Sequence, residues 1–202
     1  MGFDTVFGDM ALETEMRGNG VKGNLMAKRA WYVREFFGGA AFDAVVAKLD
    51  GEAREYMLNP PLTMSWCSFG AMMDIDRAIL DGPMKGDFAK MKHFGGEIAK
   101  HDLPTLYKVL FKVGSPAFVM RRMNIAAIQY IKDTSITPET PTDKSAKLTL
   151  GKRPWPLYFC TYGAPGWYSI AAELSGGKNV TVTHTACRHK GADTCRWAIA
   201  WS

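Results

Sequence analysis

The chain predicts an α+β fold: an N-terminal layer of helices packed on a mainly antiparallel sheet that ends in a C-terminal hairpin. Three observations lead there. Apolar residues recur at helical spacing from Asn24 to Met123. Beyond that the period falls to two, as where Ala146, Leu148 and Leu150 alternate with Lys147 and Thr149. The last stretch, Asn179 to Ser202, alternates on both sides of a polar turn at Lys190, Gly191, Ala192 and Asp193. Helices first and strands afterwards, with one inserted helix, is the order of an α+β domain. At 202 residues the chain reads as a single domain, 1–202, with residues 1–23 as a loosely packed arm containing the Gly18–Gly20 run.

Taken in order, the first helix spans Asn24 to Phe37, capped by Asn24 and stopped by Gly38 and Gly39. Phe42, Val45, Val46 and Leu49 form the stripe of a second. After the break at Asn59-Pro60-Pro61, a methionine-rich helix runs from Trp66 to Leu80, and another from Gly86 to Lys100. Asp102 followed by Pro104 predicts a new helix through Leu106, Tyr107, Leu110 and Phe111 to Gly114. Ser115-Pro116 starts one that reaches Met123. From Ile125 the chain turns β-branched and ends at Pro138; a strand follows at 146–150, and a helix from Gly163 to Leu174.

In the hairpin, a turn centred on Gly191 sets Cys187 opposite Cys195. It also pairs Thr185 with Trp197, Thr183 with Ile199 and Thr181 with Trp201. Alternation then turns His184 to the face opposite Cys187.

His184-x-x-Cys187, the Gly191 turn with Asp193, and Cys195-Arg196-Trp197 resemble the ending of the 4-vinyl reductase domain. That domain is similar to the haem-nitric-oxide-binding and vesicle-tethering domains, and a myxobacterial paralogous family of about this length carries the same ending. The resemblance implies an α+β fold, dimerisation through N-terminal helices, and an aromatic effector or acyl chain as ligand. It also implies a zinc site of three cysteines and a carboxylate, in which Cys187 and Cys195 match two positions and Cys160 lies near the third. No upstream carboxylate completes the set convincingly, and a reduced cross-strand pair beside Trp197 is the alternative.

Composition narrows the function. The net charge of +5 is spread along the chain, without the basic stripe that marks nucleic-acid binding. No apolar run spans a bilayer, no leader precedes the first helix, and Val6 breaks the myristoylation pattern begun by Gly2. The expectation is a cytoplasmic protein with neither nucleic-acid partner nor membrane insertion. Four scattered cysteines suit free thiols or metal ligands rather than a disulfide framework.

No nucleophile constellation or phosphate loop is present, so a catalytic role has no residues to rest on. His93 and His101 read as surface or boundary positions, and the Tyr-x-Ser-x-Arg signature for haem propionates is missing; the expectation is therefore a domain without haem. The chain is instead rich in methionine (12) and aromatics (11 Phe, 7 Tyr, 6 Trp). Methionine adapts to irregular space and suits an apolar pocket, although a solid methionine-rich core has the same composition. The resemblance tips the balance toward a pocket, and with it the expectation is a non-catalytic sensor or carrier for a small hydrophobic or aromatic molecule; the homodimer is implied by the resemblance alone. Trp66, Phe69, Met72, Met73, Phe118, Arg122, Tyr158, Tyr162 and Trp167 are the expected pocket residues. An enzyme or tetrapyrrole carrier and a ligand-free interaction module are the alternatives.

Overall fold

In the computed structural model, residues 10–18, 20–106 and 115–202 are described. Five helices come first: α1 (Met10–Arg17), α2 (Gly23–Phe37), α3 (Gly39–Ala47), α4 (Gly51–Leu58) and α5 (Phe69–Asp81). A small ribbon of β1 (Gly20–Lys22) and β2 (Trp66–Ser68) runs between them, with Val21 opposite Cys67. The long helix α6 (Ala89–Leu106) follows, then α7 (Pro116–Met120) and α8 (Met123–Tyr130). The chain next enters a four-stranded antiparallel sheet, β3 (Thr134–Thr142), β4 (Ser145–Lys152), β5 (Thr181–Ala186) and β6 (Arg196–Ala200), in the order β3-β4-β6-β5. Between β4 and β5 lie a π-helical turn, Phe159–Gly163, and α9 (Ala164–Leu174). This is the expected α+β architecture, with the C-terminal hairpin as its last two strands.

The sheet's alternation was correctly legible: Ala146, Leu148, Leu150, Trp197 and Ile199 are buried. Pro138 lies within β3, opposite Leu148, rather than ending the segment. An edge strand tolerates a residue without an N–H donor. The β-branched run begins later than its composition implies, because Met123–Tyr130 is helical.

Three other expectations are corrected. The arm is packed from α1 onward: Met16 is buried, Arg17 pairs with Asp74 at 2.6 Å, and β1 is tied to β2. The helix expected from Trp66 starts at Phe69, where Ser68 Oγ accepts the Ala71 N–H at 3.1 Å and caps it. Asp102 does not open a new helix; it sits inside α6, where its carboxylate pairs with buried Lys28 at 2.9 Å instead of capping. The predicted continuation through Tyr107, Leu110 and Phe111 to Gly114 lies outside the described residues.

Two glycine contacts fix how α6 meets the π turn and α9. A Cβ on Gly95 would lie 2.1 Å from the Gly163 carbonyl oxygen, and one on Gly166 2.0 Å from that of Lys92. The elements approach backbone to backbone, which only glycine permits.

Candidate functional site

A cavity of about 90 Å³ lies where the N-terminal helices meet α6, α8, the π turn and α9. Leu25 and Arg29 of α2, Met72 of α5, Gly95, Ile98 and Asp102 of α6, and Met123, Ala126 and Ala127 of α8 form part of the wall. Trp155, Phe159, Gly163, Trp167 and Tyr168 form the side nearest the sheet. The lining is overwhelmingly apolar.

Its charged members, Arg29 and Asp102, are held by ion pairs. Arg29 sets Nε and Nη2 on the two oxygens of Asp76, each at 2.7 Å, and Tyr158 donates to Asp76 Oδ2 at 2.6 Å. All three side chains are buried. Burial, and then the Asp76 charge, hold the Tyr158 hydroxyl well above its ordinary pKa. Lys28 pairs with Asp102 Oδ1 and also touches the His101 ring at Nδ1.

Of the expected pocket residues, Met72 and Trp167 line this cavity. The others lie elsewhere. Trp66 is half-exposed on β2, with Lys22 Nζ 3.8 Å and Lys132 Nζ 5.1 Å from its ring centre. The strand that replaces the first turn of the expected helix moves it off the α5 face. Phe69 and Met73 are buried in the surrounding core. Arg122 folds over the Phe118 ring at 3.4 Å, away from the lining, and Tyr162 stacks on Phe88 with ring centres 5.5 Å apart. Tyr158 is engaged by Asp76 behind the wall. Arg29 and Asp102 were missed, because nothing in a sequence distinguishes a buried charge from a surface one before its partner is known.

A second polar cluster lies under the hairpin. A bulge between His184 and Ala186 shifts the ladder by one residue, so that His184 pairs with Trp197 and Val182 with Ile199. The expected register therefore fails below the bulge, while beyond it Cys187 and Cys195 come together. The same slip corrects the expectation for His184, whose ring stacks on Trp197 with centres 5.4 Å apart. Ligand atoms of His184, Cys187 and Cys195 lie within 4.8 Å of one another, a set able to hold a metal ion. Cys160 is not one of this set; its thiol donates to the Trp155 carbonyl at 3.6 Å. Zinc is not shown.

No family model and no curated protein matches the chain. Its fold is that of the H-NOX, or haem-nitric-oxide-binding, domain. One matching solved structure is an H-NOX protein from S. oneidensis in the Fe(II)NO ligation state, at 17% identity and a TM-score of 0.69, covering 90% of this chain and 99% of that one. Another is an unliganded Fe(II) H-NOX protein from K. algicida, at 10% identity and 0.64, covering 90% and 96%. A third comes from a study of haem distortion in the H-NOX family, at 12% identity and 0.65, covering 90% and 95%.

These likenesses correct the resemblance to the 4-vinyl reductase domain, which rested on one hairpin, whereas these structures match nine-tenths of the chain. They also overturn the expectation against haem, since the fold is one in which solved proteins carry it. The lining is apolar enough for such a group, but at about 90 Å³ the cavity as it stands is smaller than a haem and would have to open to take one. None of the four histidines is part of it: His93 bonds to Tyr32 Oη at 2.8 Å, His189 to the Trp155 carbonyl at 2.8 Å, and His184 covers Trp197. His101 directly precedes the lining residue Asp102 and turns its ring edge-on to Trp31 at 5.1 Å.

Proposed function

We propose that this chain is a non-catalytic sensor domain whose effector is a small apolar molecule held in the cavity between α2, α6, α8 and α9, with Met72 and Trp167 among its contacts. The supporting observation is the cavity itself, an apolar space walled by elements from both parts of the chain and backed by the buried Arg29–Asp76–Tyr158 network. Polar groups in such number are costly to bury unless mutually satisfied, and here they hold the wall in one arrangement. Action as a cytoplasmic homodimer belongs to the same proposal and is measured by light scattering and cell fractionation. The thiols are proposed to act with His184 as one soft donor set, and elemental analysis reads whether it takes a metal.

Haem is a second reading, favoured by the likeness to H-NOX structures. His101 is the residue to supply an axial nitrogen, being nearest in sequence to the lining. Native mass spectrometry of gently purified protein separates the readings. A co-purifying organic mass supports the first, and a haem mass with a Soret band lost in His101→Ala supports the second. Bare protein that takes up neither haemin nor xenon overturns both.

A further inference from the structure

We infer that the cavity selects a small uncharged molecule bearing a hydroxyl group, an alcohol in chemical class. This rests on the sensor reading and names the kind of effector. One lining residue carries the inference. Asp102 is 5% exposed, and while its Oδ1 is taken by Lys28, its Oδ2 is buried with no hydrogen-bond partner among the described residues. It offers an acceptor in a wall that is mostly apolar.

A buried polar group left unpaired is costly, more so when it is charged, and a ligand that pairs it recovers that cost on binding. A neutral hydroxyl supplies the donor that Asp102 Oδ2 requires. Charge is already balanced, because Lys28 answers Asp102 and Arg29 answers Asp76. A cation or an anion would thus meet no counter-charge, and the ligand is neutral. Size limits it too: at about 90 Å³ the cavity is smaller than the roughly 150 Å³ that admits benzene. A compact aliphatic alcohol suits it better than a ring.

The test uses two small isomers of one formula, ethanol and dimethyl ether, which differ in the O–H donor and not in atom count. Binding to the full chain is followed by shifts of cavity-lining methyl resonances, with xenon as an apolar probe that reports the cavity alone. The expected result is ethanol binding about tenfold tighter than the ether, the effect of one hydrogen bond to a charged acceptor. Asp102→Asn should shrink that ratio. The isomer comparison needs no variant, so misfolding of that one leaves the inference testable. The ether binding as well as ethanol, with xenon bound, overturns the hydroxyl preference and leaves the sensor reading standing. Xenon failing to perturb the lining overturns the cavity reading together with it.

Discussion

Arg29 and Asp76 face each other through two parallel hydrogen bonds of 2.7 Å, both side chains almost wholly buried, and so tie α2 to α5. Removing one partner of such a pair leaves an uncompensated charge. Arg29→Met should therefore lower the unfolding free energy by about 3–5 kcal/mol in urea denaturation, whereas replacing both residues by apolar ones of similar volume should recover most of that. A single variant as stable as the parent would show that the pair does not hold the two helices.

Burial separates two tryptophans that the sequence presented alike. Trp155 is 5% exposed and packs against Trp197 at 5.9 Å, while Trp66 is 43% exposed. Trp155→Ala should cost about 3–5 kcal/mol. Trp66→Ala should cost less than about 1 kcal/mol, the scale of its cation–π contacts with the two lysines. Equal losses would mean that Trp66 has a buried role.

Filling the cavity should separate binding from folding. Ala126→Leu places a larger side chain in the lining, where it should raise stability by about 0.5–2 kcal/mol and abolish effector uptake. Effector uptake unchanged in this variant would locate the binding site elsewhere.

The thiols give a pH signature in metal-free protein. The neighbouring Cys195 and burial push the Cys187 thiol up to about 12, and the neighbouring Cys160 and burial do the same for Cys195. Unfolded thiols ionise near ~8.5, so above that pH the unfolded chain loses protons that the folded one keeps. Stability is thus fully present below about pH 8.5 and declines as pH rises toward 12. Tyrosines join only above about pH 10. A decline between these two values that persists undiminished in a Cys187→Ala/Cys195→Ala variant would assign it to other groups.

What the sequence made legible was periodic. Alternation located β4 and β6, and helical spacing located α2, α3 and most of α5. Features that depend on a distant partner stayed hidden. Ser68 reads as one more helical residue until β1 claims the strand before it, and Asp102 reads as a cap until Lys28 is beside it. The bulge at Thr185 carries no composition of its own, yet it decides which face His184 joins. The cavity was anticipated from methionine and aromatic content, but composition has no direction; of the residues expected to line it, Met72 and Trp167 do. The terminal motif suggested one family, and the fold over nine-tenths of the chain matches another.

The glycine contacts of α6 with Gly163 and α9 bear on how this protein can be altered over time. Where backbones touch, there is no side chain left to trim and no room to add one, so that wall has a fixed position. A change in the cavity's shape is then left to its side chains, among them Leu25, Met72, Ile98, Met123 and the alanines of α8, which can lengthen or shorten. Diversity among descendants should gather on those positions, leaving Gly95 and Gly166 as its stationary points.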